Sequence, residues 1–221
     1  MTSLGRIVNH DPQSRDFPAA LGSSPRKVLW RHTAAVLDQG QLGSCCGNAL
    51  TQLLNTTVAG KARLAGTGKN SYLKEKTAVA LYSRATVLDD IGGQYPPIDS
   101  GSSGLAVCKA GVEAGYFTQY RHAFGYNQFT GAIQLSPVIT GTSWYEGMFT
   151  PDSDGYIWPT GKVAGGHEYL ILGLDPAGKG KVTMLNSWSS SWGRNGRAFI
   201  RGDVYAELLA QQGDVTVPVL P

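Results

Sequence analysis

Two adjacent cysteines follow a glycine-rich stretch and precede an apolar run, in the sequence DQGQLGSCCGNAL from Asp38 to Leu50. The apolar spacing after Ser44 predicts a helix that begins there, with Cys45 in its first turn. Unpaired backbone amides and the helix dipole favour an anion at that position, so we expect the pKa of the Cys45 thiol to be lowered. A thiolate is a nucleophile, and covalent catalysis is the chemistry it would support. Cys46, rotated by about 100° around the helix, would face the core.

The catalytic interpretation needs a base, because free cysteines are also common as small core side chains. His10, His32 and His122 lie in polar or loop-like stretches and are predicted to be surface or turn residues. His167 follows two glycines and opens the apolar strand HEYLILGLD, which would place its imidazole at a cleft. A hydrogen-bonded core histidine would have the same sequence signature.

A third candidate is Asn186, which follows the predicted strand KVTML and opens the stretch NSWSSSWGRNG. If that strand is a neighbour of the one that begins at His167, the Asn186 amide oxygen would accept a hydrogen bond from the imidazole and fix its orientation. Trp188 would shield this bond from water and strengthen it. Taken singly, Asn186 is a turn residue and Trp188 a core residue.

Together these segments resemble the papain-like cysteine peptidases, in particular microbial or viral members without a long prosegment. The chain reads QGQLGSC up to Cys45, and Asn186 begins the pattern Asn-Ser-Trp, three residues, Trp-Gly-x-x-Gly. The early SRDF and the stretch PVITGTSWYEGM from Pro137 to Met148 extend the similarity, which covers about residues 13 to 200.

The resemblance implies an α+β, two-lobe papain-like fold, with a helical left lobe, a β-barrel-like right lobe and the active-site cleft between them. It implies that Cys45 is the nucleophile, His167 its imidazolium partner and Asn186 the residue that orients the ring. Gln39 matches the side chain that helps to bind the oxyanion, beside the backbone N–H of Cys45. The implied activity is that of a cysteine endopeptidase, which hydrolyses peptide bonds through a thioester acyl-enzyme without a metal or organic cofactor.

Four residues are expected to bind the substrate: Gly141, Gly166, Glu168 and Trp188. In the family, the position of Glu168 contributes to the pocket for the second residue before the scissile bond. A carboxylate there would select Arg or Lys through a charge-assisted bond. Alternatively, Glu168 turns to solvent or pairs locally with an arginine. Gly141, on the preceding strand, would leave this pocket roomy.

The chain also departs from the family pattern near the nucleophile. Leu42 and Cys46 stand where many members have a cysteine and a tryptophan, and both changes fit a chain that folds without disulfides. Because 44 residues precede Cys45, we expect no long inhibitory prosegment. We expect the first 25 residues or so to form a lead-in strand and turn that does not block the cleft.

The elements that position these residues follow from hydrophobic spacing. Helices are predicted from Ser44 to a stop at Gly60, over Lys74–Leu88 and from the capping stretch DSGSSG through Leu105 to Gly115. Later apolar runs are predicted strands. With 221 residues, of which 42% are hydrophobic, we expect one catalytic domain over 1–221. It comprises a lead-in over 1–30, a mainly helical lobe over about 31–120 and a mainly β lobe over about 121–221.

The bulk composition excludes several other functions. The net charge is only +3 and the basic residues are scattered, which argues against nucleic-acid binding. No apolar stretch approaches the roughly 18 residues of a membrane span, and we expect no secretory signal because the first residues lack a continuous apolar segment. These features predict a cytoplasmic protein, although association with a virion or unconventional export would also fit, and the resemblance implies a peptide or protein substrate. The oligomeric state is left open.

Two other functions fit the same residues. A thioester-using acyl transferase, deamidase or cell-wall amidase would differ only in the acceptor that reaches the thioester. A non-catalytic binding protein could keep the fold, but such proteins usually lose the nucleophile or the base, and both are present here.

Overall fold

The computed structural model describes residues 3–20 and 24–221, so residues 1–2 and 21–23 of the predicted lead-in lie outside the described residues. The α-helices of the described ranges are α1 (Cys45–Leu54), α2 (Gly60–Thr67), α3 (Glu75–Leu88), α4 (Gly104–Glu113), α5 (Tyr126–Ala132) and α6 (Gly202–Ala210). The strands are β1 (Val28–Leu29), β2 (Gln119–His122), β3 (Val138–Tyr145), β4 (Val163–Asp175), β5 (Lys181–Leu185), β6 (Arg197–Arg201) and β7 (Asp214–Val219). Helices dominate the first half and strands the second, which confirms the predicted α+β class.

The strands form one antiparallel sheet in the order β2-β7-β3-β4-β5-β6, and β1 pairs with β4. In the middle of the sheet, Thr142 on β3 lies opposite His167 on β4. On the other side of β4, Leu170 pairs with Leu185, the last residue of β5. This register brings the residue that follows β5, Asn186, next to the start of β4.

Strand β4 is buried on both faces, and its side chains alternate between two hydrophobic clusters. Leu170 and Leu172 pack with helices α1, α3 and α4 on one face. Tyr169 and Ile171 pack into the second cluster on the other face. Burial on both sides explains why this stretch is apolar at successive positions rather than at every second one.

Helix α1 is the central helix, and all ten of its residues are buried. It packs against α3 and against β4. A Cβ atom on Gly47 would lie only 2.1 Å from the carbonyl oxygen of Ala78, so this position tolerates only glycine at the observed helix separation. Helix α1 therefore lies between α3 on one side and strands β3 and β4 on the other.

Two sequence predictions about these elements are wrong in part. The first helix ends at Leu54, because the Asn55 side chain bonds the backbone of Leu73: its Nδ2 donates to the Leu73 carbonyl oxygen (2.9 Å), and its Oδ1 accepts from the Leu73 N–H (2.8 Å). Gly60 begins α2 and does not end a helix. Helices α5 and α6 also interrupt the strand-rich half. Within residues 3–20 and 24–221, no helix combines the length and apolar character that a membrane crossing requires.

Two histidines that were expected at the surface or in turns are buried. His122 is 7% exposed because it ends β2, where it pairs with Thr216 of β7. His32 is 8% exposed and forms an isolated bridge with Thr56.

Candidate active site

Cys45 is the first residue of α1, as the sequence predicts, and its side chain is fully buried. Unlike Cys46, which packs in the helical cluster, Cys45 belongs to neither hydrophobic cluster. The pKa of Cys45 is raised to about 12, first by burial and then by the charge of Glu168, although hydrogen bonds from the backbone of Glu168 and Gly5 oppose the rise. The expected lowering of this pKa is therefore wrong, because burial of the thiol outweighs the stabilisation of a thiolate by the helix start.

His167 lies near the start of β4, and its Nε2 is 2.7 Å from Oδ1 of Asn186. Its other ring nitrogen, Nδ1, has no hydrogen-bond partner in the described part of the chain, the Cys45 thiol included. Burial lowers the pKa of His167 to about 4, although the bond that Nε2 donates to Asn186 acts in the opposite direction. At pH 7 the Cys45 thiol and the His167 imidazole are therefore both neutral.

Two tryptophans enclose the imidazole of His167. Trp188 stacks on the ring with centroids 4.7 Å apart and an interplanar angle of 25°, and Trp144 meets it edge-on at 4.8 Å. Both tryptophans are buried. They fix the plane of the imidazole and exclude water from the bond between His167 and Asn186, which strengthens that bond.

Gln39 is tied to the loop that carries Asn186. Its backbone N–H donates to the carbonyl oxygen of Ser187 (2.9 Å), and its Oε1 accepts a bond from the Ser187 hydroxyl (2.7 Å). Its Nε2 donates to the carbonyl oxygens of Leu42 (3.0 Å) and Ser3 (3.2 Å). The amide nitrogen to which the family resemblance assigns oxyanion binding therefore already donates to two carbonyl oxygens of this chain.

Glu168 is fully buried and faces a second carboxylate, that of Asp214 on β7. Burial raises the pKa of Glu168 well above its usual range, Asp214 raises it further, and Arg6 lowers it. Across the sheet Glu168 pairs with Gly141, where a Cβ atom would lie 2.6 Å from both Nε of Arg6 and Oε2 of Glu168. The space that Gly141 leaves is thus filled by Arg6, and Glu168 does not turn to solvent.

Arg6 and Asp214 were missed by the sequence reasoning. Nη2 of Arg6 lies 2.5 Å from Oδ2 of Asp214, and the Arg6 side chain is only 1% exposed. These residues are 208 positions apart, and Asp214 stands next to Gly213, which is typical of a turn. No local pattern in the sequence signals their contact.

The lead-in segment Ser3–Ile7 crosses the site, which contradicts the expectation that it leaves the cleft open. It bonds Gly40 and Ser102 in the helical half and Gly166 on β4. A Cβ atom on Gly166 would lie 2.3 Å from the carbonyl oxygen of Arg6, so glycine at this position lets the two backbones come together. Close backbone approach holds the segment in place, and hydropathy patterns do not reveal it.

Comparison with solved structures gives the same architecture. Xylellain, a cysteine protease from Xylella fastidiosa, is 17% identical, with a TM-score of 0.70 over 99% of this chain and 97% of its own. Digestive procathepsin L2 proteinase from Tenebrio molitor is 18% identical, with a TM-score of 0.66 over 99% of this chain and 78% of its own. The bromelain protease from Ananas comosus is 18% identical, with a TM-score of 0.62 over 89% of this chain and 100% of its own. No protein-family model and no curated protein matches the chain.

Proposed function

We propose that this chain, which has the papain-like cysteine protease fold, is a cysteine peptidase with Cys45 as nucleophile and His167 as its acid and base. The observation that carries the proposal is the bond of 2.7 Å between His167 and Asn186, together with a cysteine at the start of the central helix whose sulfur accepts a bond from the backbone of Glu168, the residue after His167. Gln39 is the proposed oxyanion donor. The fold supports a peptide or protein as substrate.

In the first half of the reaction, Nδ1 of His167 takes the proton of the Cys45 thiol as the sulfur attacks the scissile carbonyl carbon. A bond forms between Sγ and this carbon, and the carbonyl oxygen becomes an oxyanion that Nε2 of Gln39 and the backbone N–H of Cys45 stabilise. The carbon–nitrogen bond then breaks, and His167 passes the proton to the leaving amine. A thioester remains on Cys45.

In the second half, water attacks the thioester while His167 accepts one of its protons. The bond between Sγ and carbon breaks, the acid product leaves and the proton returns to the sulfur. Asn186 keeps the imidazole in one tautomer and orientation through both halves, and the stacked Trp188 keeps water from competing for that bond.

Glu168 is proposed to select a basic side chain at the second residue before the scissile bond. Its full burial beside Gly141 and its proximity to Arg6 support this, because a buried carboxylate is stabilised by a cationic partner. Gly166, next to His167, is proposed to let the substrate backbone approach β4, as it does for the backbone of Arg6.

Cleavage of a diverse peptide pool, followed by mass spectrometry, tests the activity. It is measured for the full chain and for Gly5→Ala, whose added Cβ would lie 2.0 Å from the carbonyl oxygen of Gly43 and displaces the covering segment. Cys45→Ala in either background is expected to abolish cleavage, and Cys46→Ala, the matched control, is expected to retain it. Equal cleavage with and without Cys45, or none in any background, would rule out the proposed peptidase.

A further inference from the structure

The loop before Cys45 is held from the connection between α3 and α4. The backbone N–H of Gly43 donates to both carboxylate oxygens of Asp99, at 2.9 Å to Oδ2 and 3.2 Å to Oδ1. A Cβ atom on Gly43 would lie 2.8 Å from Oδ1, so glycine at this position lets the carboxylate come close. A hydrogen bond to a carboxylate is stronger than one between neutral groups. Asp99 therefore fixes the backbone shortly before the nucleophile.

Asp99 is held in turn by Tyr82, which is buried on α3. The Tyr82 hydroxyl donates to Oδ1 of Asp99 (2.5 Å) and accepts a bond from the backbone N–H of Gly101 (3.0 Å). Burial, followed by the bond to Asp99, raises the pKa of Tyr82, so the phenol keeps its proton and is the donor in this bond. Asp99 itself is exposed, and without the phenol its carboxylate would be free to turn into solvent.

The peptide unit that joins Leu42 to Gly43 links Asp99 to Gln39. Its N–H donates to Asp99, and its carbonyl oxygen, that of Leu42, accepts a bond from Nε2 of Gln39 (3.0 Å). Because a peptide unit is planar, fixing the direction of its N–H also fixes the direction of its carbonyl oxygen. A carboxylate at the N–H also polarises the unit and makes its oxygen a better acceptor. The position of Gln39 Nε2 therefore depends on Asp99.

The bond to Leu42 occupies one of the two hydrogens on Nε2 of Gln39. The other donates to the carbonyl oxygen of Ser3 (3.2 Å), in the segment that crosses the site. Of the two carbonyl oxygens that Nε2 binds in the described part of the chain, only that of Leu42 remains once this segment is displaced. An oxyanion would then receive the second hydrogen, and the bond to Leu42 would set the direction in which that hydrogen points.

We propose that Asp99 and Tyr82 are positioning residues that hold the Gln39 amide ready for the oxyanion through the peptide unit between Leu42 and Gly43. The inference rests on the proposed peptidase function and adds to it two residues that act through another group. An oxyanion donor is effective when it is oriented before the reaction begins. Asp99 supplies this orientation from the helical half of the molecule, and Tyr82 keeps the Asp99 carboxylate in place.

Steady-state kinetics of Asp99→Ala in the Gly5→Ala background test this role, with the fold checked by thermal melting. We expect kcat to fall about 10-fold and KM to change by less than ~2-fold, because a misplaced donor fails mainly in the transition state. Asp99→Asn is expected to lose no more than ~3-fold in kcat, since its Oδ1 can still accept both bonds. Asp90→Ala changes an exposed carboxylate in the same connection and is the matched control.

The double variant with Gln39→Ala separates positioning of Gln39 from a general loosening of the loop. We expect Asp99→Ala to lower the kcat of Gln39→Ala by less than ~2-fold, because the group that Asp99 positions is already absent. Tyr82→Phe is expected to lower kcat by at least ~3-fold alone and by less than ~2-fold when added to Asp99→Ala. A further fall of about 10-fold when Asp99→Ala is added to Gln39→Ala would overturn the proposal, since the two effects would then be independent.

Nuclear magnetic resonance of the ¹⁵N-labelled chain, without the Gly5→Ala change, tests the link without relying on catalysis. The side-chain amide resonances of Gln39 are assigned from their loss in Gln39→Ala. Asp99→Ala is expected to move them upfield and to speed hydrogen exchange at the Gly43 N–H by at least ~10-fold, because both hydrogen bonds weaken. Asp90→Ala is expected to leave both unchanged. Gln39 resonances that Asp99→Ala does not move would overturn the proposal.

The two proposals fail in different ways. Movement of the Gln39 resonances in Asp99→Ala, without cleavage by any variant, would support the link from Asp99 to Gln39 and contradict the peptidase. Cleavage that depends on Cys45 and has the same kcat in Asp99→Ala would support the peptidase and contradict the positioning role.

Discussion

Nε2 of His167 and Oδ1 of Asn186 lie 2.7 Å apart, although the two residues belong to different segments of the sheet. The same Oδ1 atom accepts a bond from the backbone N–H of Ser187 at 2.8 Å, so the amide is held from its own loop as well. With Oδ1 as the acceptor, Nε2 of the neutral imidazole carries the proton and Nδ1 presents its lone pair. One amide thus determines which ring nitrogen of His167 is free to accept a proton.

Replacing Asn186 by alanine is expected to lower kcat by about 100-fold, because a misdirected imidazole reaches the reacting atoms poorly. We expect KM to change little, since Asn186 does not contact the substrate in the proposed mechanism. Kinetics in the Gly5→Ala background measure both constants and the pH profile of kcat, which should shift with the pKa of His167. Asn127→Ala, at an exposed position of α5, is the control. An unchanged kcat and pH profile would show that Asn186 does not position the base.

Gln39→Ala is expected to lower kcat by about 10²–10³-fold, the loss measured when one oxyanion donor is removed. The effect falls on kcat more than on KM, because the donor binds the transition state more strongly than the substrate. The Gly5→Ala background again provides the measurement. Gln13→Ala, an exposed glutamine in the lead-in, is the control. A change in KM alone would indicate that Gln39 only holds the loop of Ser187.

Acid is expected to destabilise the fold through His167 and His32. Burial lowers the pKa of each from 6.5 to about 4, and for His32 the charge of Arg197 contributes as well. Because each pKa is lower in the folded protein, the unfolded chain binds more protons between pH 6.5 and about 4. Stability is therefore fully present above that window and falls as the pH drops through it, by roughly 3 kcal/mol per histidine.

Urea unfolding at pH 7, 5 and 4 measures this dependence, and His32→Leu tests its assignment. The variant is expected to lose less free energy of unfolding between pH 7 and pH 4 than the original chain, because one of the two buried groups no longer titrates. His10→Leu changes an exposed histidine and serves as the comparison. Identical pH dependences for His32→Leu and the original chain would exclude a contribution from His32.

Gly47→Ala is expected to destabilise the protein by about 1–3 kcal/mol or more, the cost of forcing an additional methyl group into a packed contact. Its Cβ would lie 2.1 Å from the backbone oxygen of Ala78, which cannot move away as a flexible side chain can. Chemical denaturation measures the loss. Gly92→Ala is the matched control, because nothing lies within 4 Å of its added Cβ. Equal stabilities of the two variants would mean that α1 and α3 separate without cost.

Much of the fold could be predicted because hydrophobic spacing reports burial directly. The apolar run of β4 and the spacing in α1, α3 and α4 predicted elements that the structure contains. The end of the first helix could not be predicted in this way, because it depends on the bond between Asn55 and Leu73. Helix α6 could have been predicted, because its buried residues have helical spacing: Val204, Tyr205, Leu208 and Leu209. The prediction of strands throughout the second half of the chain missed it.

By itself, the sequence determined the α+β class, because apolar periodicity is a local property, and the segments around Cys45, His167 and Asn186 carried the resemblance that implies the papain-like fold. It also indicated Cys45, His167, Asn186 and Gln39 as candidate catalytic residues. Only the tertiary structure decided the state of the site, since the contact of Arg6 with Asp214 and the approach of Gly5 to Gly43 join distant parts of the chain. The burial that these contacts produce raises the pKa of the thiol, whereas its place at the start of a helix would lower it.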